Sequence, residues 1–169
     1  MIVRVQLLYI FCVITIFVGA CSSSPREFPI REFHSGTNSG RRAPLTLEIR
    51  TAWQYEQLAT GLRARNPECD FPAATPNIQW GDELLLVILA GETQAGTRVR
   101  VANISIFGNA LLVAWRKELQ KKESVFLNSD YKIPPSLEPP RPLETPFTIV
   151  IIDAWSGGIR FLEGRHLLD

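Results

Sequence analysis

Few side chains in this sequence have the type and spacing that acid–base, nucleophilic or metal chemistry requires. The two histidines, His34 and His166, lie near opposite ends of the chain, and neither has a partner at the spacing of a zinc motif. Ser35 and Ser156 lack the Gly-x-Ser-x-Gly frame that presents a hydrolase nucleophile. The sequence therefore predicts no catalytic residue, no metal site and no cofactor. A triad assembled across the fold stays open as the alternative.

Three carboxylates and one thiol are the remaining candidates for chemistry. Glu92 could act with Asp82 and Glu83 as a carboxylate pair, but a seven-residue strand would hold them roughly 20 Å apart. Of the three cysteines, two belong to the N-terminal segment, which leaves Cys69 without a disulfide partner. With no histidine nearby in sequence, a partly buried, inert thiol is favoured over a reactive one.

The first twenty-one residues predict export and acylation. Residues 2–18 form a mostly apolar run with one cation, Arg4, and are typical of a signal peptide rather than of a membrane span. The following Val18-Gly19-Ala20-Cys21 resembles the lipobox of bacterial lipoproteins, in which the cysteine is acylated and becomes the new N-terminus. Ser22 stands where Asp would signal retention in the inner membrane. We expect a palmitate-bearing lipoprotein of the bacterial cell envelope, facing the periplasm from the outer membrane. The alternative is an ordinary secretory signal followed by an incidental cysteine.

The charge of the exported chain argues against nucleic acid as a partner. Removing residues 1–20 removes one cation, Arg4, and leaves 17 Lys and Arg against 17 Asp and Glu. A balanced composition implies no basic face, so nucleic-acid binding is not expected.

The segment 83–97 organises the rest of the chain. The run from Leu84 to Ala90 is continuously apolar, as in a strand buried on both faces. Gly91 and Gly96 then bracket a polar loop. It is not a phosphate-binding loop, because the required lysine and the following helix are absent.

The elements on the N-terminal side of that strand follow from local patterns. Residues 21–44 are predicted to be a lipidated N-terminus and a flexible tether, because they are polar and rich in Pro, Arg and Gly. Residues 45–50 alternate as a half-buried strand. Thr51 and Gln54 form a capping-box pattern for a helix from Ala52 to about residue 62.

The elements on the C-terminal side are predicted to be strands joined by turns. Gly108-Asn109 marks a two-residue hairpin that sets Ile104, Ile106, Leu111, Val113 and Trp115 on one face, with Ala102 opposite Trp115. The opposite parity of the preceding valines predicts a bulge near residues 102–103. Residues 117–145 form a Pro-rich loop, residues 147–152 and 159–161 are strands, and residues 164–169 are a tail.

These patterns predict one domain over residues 45–163. The fold class is mainly β with one N-terminal helix, an α+β arrangement in which an antiparallel twisted sheet closes as a sandwich or half-barrel. The helix is expected to cover one face of the central strand and the hairpin stripe the other.

Several segments of the domain resemble the C-terminal domain of PrcB-type protease-complex subunits. The similarity lies in Thr51-Ala52-Trp53 with Leu58, Pro76-Asn77-Ile78-Gln79-Trp80, Leu86-Val87 through Gly91-Glu92, Arg98-Val99-Arg100-Val101, Leu112-Val113, Thr145-Pro146-Phe147-Thr148-Ile149-Val150 and Ile159-Arg160-Phe161. It spans about residues 34–163. The family's sharpest motif is a Gly-Glu-x-x-Thr-Gly-Gly-Tyr loop. This chain keeps Gly91-Glu92 and Gly96 and lacks the second glycine and the tyrosine.

The resemblance implies a non-catalytic accessory lipoprotein that stabilises a protein complex containing a protease. It makes the loop the candidate partner-binding site: Gly91, Glu92, Thr93, Gln94, Ala95, Gly96 and Thr97. The loop is also similar to loops that some β-sandwich inhibitors insert into cysteine proteases. Three hypotheses follow: an envelope scaffold held at the membrane by its lipid, a protease inhibitor acting through this loop, and an enzyme with an unrecognised site.

Overall fold

The computed structural model describes residues 28–120 and 142–164. Within these ranges the chain is mainly β, with one helix. The elements are β1 Arg31–Gly36, β2 Leu45–Ile49, α1 Ala52–Arg65, β3 Glu83–Leu89, β4 Thr93–Gln94, β5 Thr97–Phe107, β6 Ala110–Leu119, β7 Leu143–Glu144, β8 Phe147–Asp153 and β9 Gly158–Glu163. The predicted signal peptide, Cys21, His166, the tail beyond residue 164 and residues 121–141 of the Pro-rich loop lie outside the described residues.

Three layers make up the domain. An antiparallel sheet in the order β1-β8-β3-β2 lies in the middle, with α1 on one face and a second sheet, β5-β6-β9, on the other. The sequence predicted either a sandwich or a half-barrel. The sheets are not closed into a barrel, and the fold is sandwich-like. The pairing of β6 with β9 is parallel, whereas the sequence predicted antiparallel strands throughout.

The central strand β3 is buried on both faces, as predicted. Its six apolar side chains from Leu84 to Leu89 are at most 1% exposed. Leu85, Val87 and Leu89 belong to the cluster under α1 that contains Tyr55, Ala59 and Leu62. Leu84, Leu86 and Ile88 belong to the cluster against the second sheet, with Ile104, Leu111, Val113 and Trp115. The two predicted covers are therefore the two observed ones.

The helix α1 starts at the predicted cap. The Thr51 side chain accepts a hydrogen bond from the Gln54 amide at 3.2 Å. The Gln54 side chain accepts in return from the Arg50 amide at 2.8 Å, one residue before the position that a capping box usually uses. The helix continues past Leu62 to Arg65, and the Asn66 amide closes its last turn by donating to the Leu62 carbonyl at 3.0 Å. No helix in the described residues has the length and apolar character needed to cross a membrane.

A tyrosine fixes the inner face of α1 to the loop that follows the helix. Tyr55 is fully buried, and its hydroxyl donates to the Pro72 carbonyl at 2.9 Å. Burial raises the pKa of Tyr55 to about 12, although the positive charge of Arg63 acts in the opposite direction. The neutral phenol therefore serves as a donor inside the apolar cluster.

The hairpin of β5 and β6 has the predicted bulge. Ile106 pairs with Leu111 and Ile104 with Val113, and the register shifts between Val101 and Asn103. The extra residue, Ala102, lets the side chains on either side of the bulge face the core. As a result Val101 lies opposite Trp115, and the predicted pairing of Ala102 with Trp115 is wrong.

The prediction of a flexible tether through residue 44 is wrong for residues 28–44. Strand β1 pairs with β8, the Phe28 amide donates to the Ile104 carbonyl at 3.1 Å, and Ser39 is fully buried. The side chains of β1 are mostly exposed, so backbone pairing rather than apolar burial orders the segment. Such an edge strand leaves little hydrophobic periodicity in the sequence, which is why composition alone indicated a tether.

The burial of β3 predicts the effect of a charge at its centre. Val87→Asp would place an unpaired carboxylate in the cluster under α1, which costs on the order of several kcal/mol and is enough to unfold a marginal domain. The matched control, Gln94→Asp, changes an exposed side chain and should shift the free energy of unfolding by less than about 0.5 kcal/mol. Denaturant unfolding followed by circular dichroism measures both variants. Equal stability of the two would show that the strand is wrongly assigned.

Candidate functional site

The predicted loop, residues 91–97, lies between the end of β3 and the start of β5. Gly91 has φ 72° and passes so close to the chain around residue 42 that a Cβ here would lie 2.6 Å from the Arg42 carbonyl oxygen. This position therefore needs glycine for both conformation and space. Between the two glycines, Thr93 and Gln94 form β4, which pairs with β7.

The loop is held by residues distant in sequence. The Ala95 amide donates to the Pro142 carbonyl at 2.9 Å, and the Gly96 amide donates to a carboxylate oxygen of Glu144 at 2.9 Å. On the other side, the Glu92 amide donates to the Arg42 carbonyl at 2.8 Å. These contacts use three backbone donors that a freely projecting loop would leave to solvent.

Two further bonds close the loop on itself and on the second sheet. The Thr97 hydroxyl donates to the Gln94 carbonyl at 2.6 Å, and Thr97 is buried. The Gln120 amide donates to the Gly96 carbonyl at 2.9 Å, which continues the pairing of β5 with β6. The loop is therefore a rigid edge of the domain.

The braced loop presents a mixed polar and apolar surface. Gln94 is exposed, and its strand partner Leu143 is 65% exposed. Leu119, which pairs with Thr97, is 46% exposed. We call Glu92, Gln94, Leu119 and Leu143 the loop platform. Leu119 and Leu143 add exposed apolar area beside the polar loop.

A charged groove of about 360 Å³ lies next to the start of β5. Ser35, Gly36 and Thr37 form one wall, and Arg98, Arg100 and Glu118 form the other, with Phe147 also among the lining residues. The backbone of the first wall is fixed by Asp70, whose two carboxylate oxygens accept from the Thr37 and Asn38 amides at 2.9 and 3.0 Å. Glu32 also lines the groove, which therefore offers carboxylate, guanidinium and hydroxyl groups.

Of the residues first considered for catalysis, His34 and Cys69 have aromatic or apolar neighbours. His34 is exposed on β1, with its ring 5.8 Å from that of Phe147 and 6.4 Å from that of Phe33. Cys69 is a free, half-buried thiol that packs against the cluster under α1. Over residues 28–120 and 142–164, no group of three or more His, Cys, Asp or Glu is arranged to hold a metal ion.

Sequence reasoning missed the polar residues that hold the loop and the segments around it. Asn38 accepts from the Asn66 side chain at 3.1 Å and from the Thr145 hydroxyl at 3.3 Å, so it ties the turn after β1 to the segment beyond β7. Asp70 and Glu144 supply the carboxylates described above. Each is a single polar residue whose partners in these contacts lie 28 to 107 positions away, and no local pattern reveals such a contact.

Comparisons of the chain with protein-family models, with curated proteins and with solved structures found no match. The function must therefore be argued from the loop platform, the surfaces around it and the N-terminal sequence.

Glu144 is expected to control the order of the loop. Glu144→Ala removes the acceptor of the Gly96 amide, and a hydrogen bond to a charged group contributes about 1.5–3 kcal/mol, so amide exchange at Gly96 should accelerate on the order of ten- to a hundredfold. Glu144→Gln keeps an acceptor oxygen and should exchange nearly as the wild type does. Hydrogen–deuterium exchange measures both. Unchanged exchange at Gly96 in the alanine variant, or faster exchange throughout the sheets, would contradict the bracing role.

Proposed function

We propose that this chain is a lipid-anchored, non-catalytic binding module of the bacterial cell envelope that holds a protein partner at the loop platform. The observation that carries the proposal is the bracing of residues 91–97 by Arg42, Pro142 and Glu144. A surface that is already rigid loses little conformational entropy on binding, which favours a lasting complex.

The same observation favours a scaffold over an inhibitor that inserts this loop into a protease. An inserting loop must project from the domain and present its backbone to the cleft. Here the amides of Glu92, Ala95 and Gly96 are bonded within the domain, and β4 lies flat against β7. A partner would meet the side of this small sheet, with Gln94 and Leu143 at the centre of the contact.

The N-terminal sequence supports the envelope location. Acylation of Cys21 would hold the domain at a membrane, because several acyl chains bind far more stably than one. The sequence resemblance to PrcB-type subunits supports a complex with a protease as the assembly that the module stabilises.

Site-specific crosslinking in intact envelopes tests the binding surface. A photoreactive benzoylphenylalanine at position 94 or 143 should yield one adduct of higher mass. The matched control is benzoylphenylalanine at position 60, an exposed position on α1 that lies outside the loop platform. Absence of an adduct at both test positions, or equal adducts at position 60, would overturn the proposed surface.

The crosslinked partner also separates the scaffold from the inhibitor. If the partner is a protease, a scaffold should leave its turnover of a small substrate unchanged or raised. An inhibitor should block that turnover, and replacement of Thr93-Gln94-Ala95 by three glycines should relieve the block.

Metabolic labelling with palmitate tests the anchor. The wild-type chain should carry the label and fractionate with membranes, and Cys21→Ala should lose both properties because the acylated thiol is gone. Cys69→Ala is the matched control and should behave as the wild type, since this thiol packs within the folded domain. An unlabelled wild type, or a Cys21→Ala chain that stays with membranes, would show that the anchor assignment is wrong.

A further inference from the structure

The solvent-facing side of the second sheet concentrates positive charge. Residues that alternate with the buried ones on β5, β6 and β9 point away from the core. They include four exposed arginines and a single glutamate, which we call the arginine face: Arg98, Arg100, Arg116, Arg160 and Glu118. A chain whose charges nearly balance thus carries a surplus of three positive charges on one face.

The glutamate on this face is shared. The Glu118 carboxylate lies 2.6 Å from Nε of Arg116 and 4.0 Å from a terminal nitrogen of Arg100. The Gln120 side-chain amide, which carries no charge, lies against the Arg98 guanidinium, and its oxygen accepts from Nε at 2.7 Å. Among the described residues, Arg98 and Arg160 form no ion pair. The face can therefore accept anions without first breaking a salt bridge at these two residues.

Two large apolar side chains lie on the same side of the sheet. Phe107, at the β5–β6 turn, is 74% exposed, and Leu162 on β9, opposite Ala114, is 51% exposed. Arginine beside exposed phenylalanine and leucine is the combination that binds the headgroup region of a membrane, where phosphates meet the upper acyl chains.

The N-terminal attachment of the domain brings this face within reach of lipid. The Phe28 amide donates to the Ile104 carbonyl at the edge of β5, so the described part of the chain begins beside the arginine face. Only residues 22–27 separate it from Cys21. Seven residue steps span at most about 25 Å even when fully extended, so an acylated Cys21 keeps this edge of the domain close to the membrane surface.

We propose that the arginine face docks on the phosphate headgroups of the anionic membrane into which the lipid inserts. This inference rests on the proposed anchor at Cys21. Guanidinium groups bind phosphate oxygens in pairs, and the attraction to an anionic surface acts within a Debye length of about 8–10 Å at physiological salt. Docking would fix the orientation of the domain and turn the helix layer away from the lipid. An acidic protein partner is the competing occupant, which the test below separates.

Arginine footprinting of the purified, acylated full chain in vesicles tests the proposal. Phenylglyoxal modification should be slower in vesicles of phosphatidylcholine with phosphatidylglycerol than in vesicles of phosphatidylcholine alone. We expect a difference on the order of tenfold at the four arginines of the face, because each basic residue at an anionic surface favours the bound state about fivefold. Raised salt should remove the protection. Arg65, on α1, should react equally in both vesicles and serves as the internal control.

A pair of double variants with equal net charge tests whether the face itself binds. In the presence of anionic vesicles, Arg98→Gln with Arg160→Gln should weaken docking, so that phenylglyoxal modifies the two remaining arginines of the face, Arg100 and Arg116, faster than in the wild type. Arg31→Gln with Arg41→Gln, which lie outside the face, should leave their protection unchanged and keep Arg65 as the internal control. Circular dichroism of all variants checks that the fold is kept.

Three results would overturn the proposal. The first is equal modification of the four arginines in anionic and neutral vesicles. The second is an equal effect of the two double variants on that modification. The third is protection of the arginines in native envelopes that is lost in vesicles made from the extracted lipids. The last result would assign the face to a protein partner. Acylation of Cys21 is read independently from the mass of the N-terminal peptide in the same preparation, so failure of the anchor and failure of the docking are told apart.

Discussion

The double-sided burial of β3 is the constraint on which the rest of the structure depends. A run of six apolar side chains in an extended strand must alternate between two faces, so both faces need an apolar cover. One cover is α1, held to the sheet by Tyr55 and Leu62, and the other is the hairpin of β5 and β6. The loop platform sits where β3 leaves this three-layer core, which explains why a short polar segment can be held so firmly.

Local chemistry made much of the fold predictable. The cap at Thr51, the hairpin at Gly108 and the bulge at Ala102 each follow from residues within a few positions of one another, and the structure contains all three. The rest depended on partners distant in sequence. Strand β1 has exposed side chains and is ordered by backbone bonds to β8, and the parallel pairing of β9 with β6 leaves no mark in the pattern of either strand.

The candidate site shows the same division. The two glycines correctly mark the limits of the loop, because the backbone at Gly91 and Gly96 has positive φ. The residues that hold it, Arg42, Pro142 and Glu144, come from opposite ends of the domain, and only the folded chain brings them together. Charge behaves likewise, since near neutrality of the whole composition conceals the arginine face on one sheet.

The position of β1 in the sheet also bears on the order in which the chain can fold. Arg31 lies opposite Ile151, so the first strand finds its partner only when nearly all of the domain is present. The strand β8 also completes the pairing of β3, whose apolar edge stays open until then. Such non-local pairing makes folding slow and leaves partly made chains prone to aggregation. A domain of this topology completes its central sheet only after its C-terminal strands have been made.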